Sequence, residues 1–293
     1  MRVSLQCLIV VSSLAIAATA HAEPTQTVVP ISEAAHPPQA RNIYSGNYLV
    51  IGVGVANVPT FEGGRERGIY PAAGLMARYR GISIRSRGMG VAFDILHKPD
   101  YGRIGFSFGP VVRWRGSGGG RMRDPVLAQL GKRRGNVEAG INAGVHVKHV
   151  FNHYDSLNLG VDMRWDASRG TGGRVISVGP SYFTPVSKRQ VVGLSGTMDF
   201  VNHPYSSGSY GITPAGSAAS GLQPYAARSG LKSIGFKTYT AYDLDGNIAN
   251  GGFAVGAAIG YTLLTGSAAD SPITRVRGRR SGLLLAAGIG YAF

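Results

Sequence analysis

From about residue 47 to the last residue, Phe293, the chain keeps one pattern: long runs in which apolar side chains take every second position. Val137, Ala139, Ile141, Ala143, Val145 and Val147 alternate with Glu138, Gly140, Asn142, Gly144, His146 and Lys148. Leu157, Leu159, Val161, Met163 and Trp165 alternate in the same way with Asn158, Gly160, Asp162, Arg164 and Asp166. A period of two places the two sets on opposite faces of a β-strand. The runs exceed the ~5–6 residues usual in soluble strands and match the ~9–11 that a strand needs to cross a bilayer at a tilt.

Twelve such runs are legible, at roughly 47–58, 69–80, 81–87, 90–97, 103–116, 136–149, 156–167, 174–186, 190–202, 230–244, 251–264 and 281–293. The third and fourth are separated only by Arg87-Gly88-Met89-Gly90. Connections after even runs are short, as at Asp245-Gly246-Asn247, whereas the long ones, 117–135, 203–229 and 265–280, follow odd runs. Short turns at one end and long loops at the other predict an all-β fold: a transmembrane antiparallel β-barrel of about 12 strands, of the bacterial outer-membrane type, with both termini in the periplasm.

The final stretch, GLLLAAGIGYAF, fits this reading. A closed barrel must pair its last strand with its first, since no backbone group can stay unpaired in lipid. Tyr291 and Phe293 are expected at the periplasmic interface as part of an aromatic girdle, and a terminal Phe preceded by alternating aromatic or apolar residues looks like the assembly signal of outer-membrane barrels.

Compartment is read from the other end. Arg2, the apolar stretch Leu8 to Ala18 and Ala20-His21-Ala22 predict a secretory signal peptide over 1–22. Its removal takes the only cysteine, Cys7, and lowers the formal charge from +15 to +14. Disulfides and cysteine metal sites are thereby excluded from the mature chain. Residues 23–46, with Pro24, Pro30, Pro37 and Pro38, read as a flexible periplasmic lead-in before the barrel at 47–293. A secreted, basic chain with 44 glycines suits a soluble binding protein, a lectin-like sandwich or a barrel, and strand length selects the barrel.

Several positions resemble a known family. Gly52-Val53-Gly54, then Pro59-Thr60-Phe61-Glu62-Gly63, then Pro71 is similar to the opening of the MipA/OmpV family of outer-membrane proteins, the MltA-interacting proteins. Gly109-Pro110, Leu130-Gly131, Tyr210-Gly211-Ile212, Ser220-Gly221-Leu222 with Tyr225, Ala268-Ala269-Asp270-Ser271-Pro272-Ile273 and Tyr291-Ala292-Phe293 agree with it. Pro59, Glu62, Gly63, Asp270, Ser271 and Pro272 carry its loop motifs. Phe61, Ser267 and Gly278-Arg279-Arg280-Ser281 depart from the family pattern, all in loops. The resemblance implies a non-enzymatic role: some members join a lytic transglycosylase to a peptidoglycan synthase, and others are porin-like or adhesin-like surface antigens.

The residues themselves point away from catalysis and cofactors. His146 is expected to face the lumen, His149 to face outward and His153 to sit in a turn, so their spacing is a poor metal site. Asp243-Leu244-Asp245-Gly246-Asn247 suits a tight hairpin better than a calcium loop. The one chemical feature with direction is inward basic charge. Arg78, Arg80, Arg85, Arg87, Arg113, Arg115, Lys148, Arg164 and Lys237 fall on inward faces, with Glu138, Asp162, Asp166 and Asp199 as the main acids. They read either as an internal ion-pair network or as an anion-attracting lumen. The inner faces of the first and the last two strands are mostly Gly and Ala. Arg121, Arg123, Lys132, Arg133, Arg134, Arg275, Arg277, Arg279 and Arg280 make two long loops basic, suited to lipopolysaccharide phosphates at the lipid surface. Nucleic acid is disfavoured by the compartment.

Overall fold

The computed structural model describes residues 42–96, 102–115, 124–131, 136–152, 154–168 and 172–293. The predicted signal peptide, His153 and the basic residues at 121, 123 and 132–134 lie outside them. Twelve strands form: β1 (Tyr48–Pro59), β2 (Arg67–Tyr79), β3 (Ile82–Ser86), β4 (Gly90–Asp94), β5 (Ile104–Arg115), β6 (Asn136–Lys148), β7 (Ser156–Asp166), β8 (Arg174–Pro185), β9 (Gln190–Val201), β10 (Gly230–Asp243), β11 (Gly252–Leu264) and β12 (Ser281–Ala292). Each pairs antiparallel with its sequence neighbours, and β1 pairs with β12, so the sheet closes. The twelve strands expected from alternation are all present.

Closure satisfies the chain end. Phe293 donates its amide to the Leu49 carbonyl at 2.8 Å, and Tyr291 stacks edge-to-face between Phe253 and Phe293, with ring centroids 4.7 and 4.6 Å away. Along the seam Val53 faces Ile289 on the outside, and Gly54 faces Gly288 on the inside. There the backbones run so close that a Cβ on either glycine would collide with the opposite strand.

Residues that a soluble protein would bury point outward. Val53, Ile69, Phe106, Phe236, Phe253 and Ile289 are all more than half exposed, which is the apolar band of a lipid-facing barrel. No helix among the described residues is long and apolar enough to cross a membrane.

The two ends differ. At the end that carries both described termini, a 3-10 turn at Ile43–Ser45 and the β10–β11 turn fold over the opening, burying Tyr44, Tyr48, Val191, Ile248 and Ala249 together. The last residues of the segment read as a lead-in are therefore docked on the barrel. At the long-loop end sit five short helices: α1 (Pro125–Ala128), α2 (His203–Tyr210), α3 (Pro214–Ser220), α4 (Gly266–Asp270) and α5 (Pro272–Arg275). Four start with proline in their first turn, where its missing amide costs nothing, behind a capping Asp124, Asn202, Thr213 or Ser271. Their apolar residues pack with strand ends and loop residues into two clusters, one of Val175, Val201, Tyr205, Tyr210, Ala227, Leu264, Ala268 and Ala269, the other of Leu127, Ile212, Leu222 and Ile273.

Candidate functional site

Alternation places Glu138 on β6 and Asp162 and Arg164 on β7 inside the barrel, and register brings them together. Arg164 pairs across the sheet with Gly140, one inward step from Glu138. Its guanidinium, 2% exposed, reaches Glu138 at 3.1 Å, Asp162 at 3.2 Å and the Ser177 hydroxyl at 2.9 Å. Arg115 contacts the other Glu138 oxygen at 3.4 Å and stacks over the Tyr205 ring at 4.2 Å.

From Ser177 the network continues across the lumen. The Ser177 hydroxyl donates to Asp199 at 2.6 Å, Asp199 sits 3.3 Å from the Lys232 ammonium, and Lys232 donates to Glu62 at 2.6 Å. The chain of contacts thus runs from β5–β7 through β8, β9 and β10 to the β1–β2 loop. Lys232 is inward because the register slips between Leu231 and Ser233, a β-bulge that turns two successive side chains, Lys232 and Ser233, into the interior. Burial disfavours the Glu62 carboxylate, but the Lys232 charge and hydrogen bond outweigh it and hold the carboxyl below its usual value. About 38% of the Glu62 side chain still faces open lumen space.

The loops above this network are locked to one another. Arg279 donates its amide to the Gly63 carbonyl, Arg65 donates to Gly278, and Gly64 and Gly278 form an isolated bridge, so the β1–β2 and β11–β12 loops are stitched together. Gly63 holds φ at +89°, which suits glycine alone at this turn. Ser271 caps α5 and donates its hydroxyl to the Tyr210 carbonyl at 2.6 Å, joining α5 to α2. Arg277 meets Asp124 at 2.9 Å. That bond and the amides of Val126 and Leu127 outweigh desolvation and lower the Asp124 pKa. The described parts of the long loops pack on one another at this end of the barrel.

A family model described as MltA-interacting protein MipA matches residues 51–293. The chain belongs to the MipA family. A search of curated proteins found no match. Among solved structures, an outer-membrane channel from Pseudomonas putida is 11% identical, with 88% of this chain and 100% of that one covered and a TM-score of 0.44. OccK11 (OpdR) of Pseudomonas aeruginosa is 9% identical over 87% and 98%, with a TM-score of 0.31. The MipA-family protein is accordingly an outer-membrane β-barrel.

In this MipA-family barrel the motif residues of the sequence are parts of the closure. Pro59 ends β1, Glu62 enters the lumen, Gly63 makes the stitch, and Ser271 and Pro272 start α5. Asp270 stays at the surface and pairs with Arg280 at 2.9 Å. Ser267, a departure from the family pattern, accepts the Arg228 amide at 2.8 Å and bonds the Tyr225 hydroxyl.

The inward basic residues divide by what they meet. Arg115 and Arg164 are ion-paired, and Arg87 lies 3.9 Å from Asp162. Arg85, Arg113 and Lys237 face the lumen with no carboxylate within 4.0 Å among the described residues. Arg113 sits opposite Glu138 in register, yet Glu138 is taken by its two other arginines. Arg78 is buried at the short-turn end over the Tyr48 ring. Arg80 does not reach the lumen: with φ of +49°, beside Gly81 at +87°, it occupies a two-residue hairpin turn and lies against Tyr79. Lys232 and Tyr205 were not legible as site residues, since one depends on the bulge and the other on a loop helix.

No group of three or more His, Asp or Glu side chains suitable for a metal ion occurs among the described residues.

Proposed function

We propose that the protein is a scaffold that holds peptidoglycan-remodelling enzymes at the inner surface of the outer membrane, with a lytic transglycosylase as one partner. The observation that carries this reading is the family match to MltA-interacting protein over 51–293, together with a lumen crossed by ion pairs beneath packed loop helices. A barrel so filled offers surface for docking, and the porin-like alternative draws no support from it.

The periplasmic rim has the character of a binding surface. Arg80, Arg103, Lys188 and Arg189 are exposed on its turns, whereas Asp155 and Asp243 are turned inward as turn-locking acceptors. Asp245 is the exposed acid among the described turn residues there. Net positive charge on this rim suits an acidic partner face and speeds encounter.

The test is co-purification from cross-linked envelopes. The wild type should recover murein hydrolase and synthase, and the charge-reversed variant R80E/K188E/R189E should lose them while remaining in the outer membrane. Equal recovery by both, or no recovery by the wild type, refutes the scaffold.

A further inference from the structure

The wall of the barrel is not uniform in height. β3 and β4 have five residues each, against eleven to fourteen in every other strand. β2 therefore pairs with β1 from Arg67 to Arg78 but with β3 only from Met76 to Tyr79. The last tie is at Leu75, whose amide donates to the Ser86 hydroxyl at 2.7 Å and whose carbonyl accepts from it at 3.1 Å. Beyond it the tip of the β3–β4 hairpin is held by β5 instead, the Met89 carbonyl accepting the Trp114 amide at 3.0 Å.

A strand residue presents its N–H and C=O to the same neighbour, and successive residues alternate. Ala73, Pro71 and Ile69 thus face the side that Leu75 faces, and they meet no hydrogen-bond partner there among the described residues. Their side chains belong to an uncharged outward row, Ile69 to Tyr79 in steps of two, so this open edge lies within the lipid-facing band. Backbone without ladder partners is tolerated at membrane depth only where protein covers it or where it lines a cavity. Pro71 has no donor to offer an added strand, which blunts the edge against one.

A cavity of about 450 Å³ begins at this edge. Ala72, Gly74 and Met76 of β2 line it, and no described residue of β3, β4 or β5 does. Phe183 and Tyr239 bound it across the lumen, and the cluster with Tyr44 and Ile248 forms its floor. A Cβ on Gly74, or on Gly88 at the hairpin tip, would meet nothing within 4 Å, so both flanks of the notch are open. The one charged side chain among the described lining residues, Asp243, already accepts the Asn247 amide at 2.8 Å. The cavity offers apolar contact and no anchor for a headgroup.

We propose that the notch is a lateral portal that holds one acyl chain of a membrane lipid from the leaflet at the long-loop end, the chain passing the β2 edge between Ile69 and Gly74 into the cavity and the headgroup staying outside. The interrupted wall selects this occupant: the gap opens onto lipid, and Pro71 opposes strand addition. A hydrocarbon chain gains dispersion contacts there without needing polar partners. Lumen water reaches the same edge from inside and serves its backbone groups. The site is separate from the periplasmic rim and does not depend on the scaffold role.

Bromolipid quenching tests it. The only cysteine, Cys7, lies in the predicted signal peptide, so single cysteines labelled with bimane can be read in vesicles of phosphatidylcholine dibrominated at mid-chain. Ala73→Cys points out to lipid. Gly74→Cys points into the lumen beside the notch, and Met76→Cys points into the cavity where β3 completes the wall behind it. Ser181→Cys points into the lumen from β8, which is paired on both sides. Relative to plain phosphatidylcholine, the Ala73 label should be quenched strongly, the Gly74 and Met76 labels at least half as much, and the Ser181 label not at all. Heat-modifiable gel migration confirms that each labelled variant is a closed barrel. An unquenched Met76 label, or a Ser181 label quenched equally, overturns the proposal. So does quenching by a brominated fatty acid added to plain vesicles with none from the brominated phospholipid, which would make the occupant a free amphiphile.

Discussion

Lys232 on β10 donates a 2.6 Å hydrogen bond to Glu62 in the β1–β2 loop, tying the wall of the barrel to a loop 170 residues away in sequence. The ammonium is 5% exposed and also lies 3.3 Å from Asp199. Lys232→Met therefore leaves two carboxylates facing each other without their cation, and should cost about 3 kcal/mol. Glu62→Gln should cost less, about 1–2 kcal/mol, because its side chain meets lumen solvent and Asp199 remains beside Lys232. Urea unfolding in lipid vesicles would measure both, and equal, negligible losses would contradict the assigned role.

The same contact predicts a pH dependence. The native Glu62 carboxyl is held below its ordinary value of 4.5, so the unfolded chain takes up its proton first as pH falls. The stability contributed by Glu62 is complete above 4.5 and declines as pH drops through the lowered native value. Stability of the wild type minus that of Glu62→Gln should be flat from neutral pH to about 5 and shrink below it. A difference that grows on acidification would reverse the sign and sink the assignment.

Strand existence and face were legible because a barrel in lipid needs them everywhere at once: Leu157 to Trp165 can alternate with Asn158 to Asp166 only if one side is lipid and the other lumen. The readings failed where a single residue departed from that period. Arg80 continues the inward series after Arg78, and only its partnership with Gly81 in a positive-φ turn removes it from the strand. Lys232 sits on an outward phase, with Ile234 and Phe236 beyond it, until the bulge rotates it inward. Glu62 was visible as a motif residue, but its partner is a long-range contact that no spacing encodes.

A short-turn acid should matter more than its position suggests. Asp155 accepts hydrogen bonds from the amides of Val150, Phe151 and Asn152 and from the Tyr182 hydroxyl at 2.7 Å. Desolvation opposes its charge, but these donors prevail and lower its pKa. Asp155→Ala removes the acceptor that these four donors share and should destabilise by about 1–3 kcal/mol. An unfolding midpoint equal to wild type would show that the turn holds without it.

The terminal strand should control assembly. Phe293 bonds Leu49 across the seam and packs on Tyr291. Deletion of Tyr291 to Phe293, or Phe293→Asp, unpairs backbone groups or places charge at the interface. Either variant should be lost from the outer-membrane fraction and should no longer show a boiling-dependent gel shift. Normal levels and surface exposure of the variant would remove the seam from the assembly step.

Arg113 and Arg115 lie two residues apart on the same inward face, yet the structure gives them different work. Arg115 contacts Glu138 at 3.4 Å, donates to Asn136 at 2.8 Å and Ser209 at 3.0 Å, and covers the Tyr205 ring. Arg113 has no carboxylate within 4.0 Å among the described residues. Arg115→Gln should lower stability by about 1–3 kcal/mol, since a buried contact to Glu138 and the strand-to-α2 link are lost together. Arg113→Gln should cost less, about 1 kcal/mol or below, since its charge supports the Glu62 carboxylate only from beyond 4.0 Å. If both lower stability equally, the two arginines share one network and the assigned geometry is wrong. Planar-bilayer recordings on the same preparations complete the comparison: with α2, α4 and α5 packed together at the long-loop end and the lumen crossed by Arg164, Asp199 and Lys232, the wild type should carry no steady current. A sustained anion-selective current abolished by Arg113→Gln alone would instead make Arg113 part of an open path.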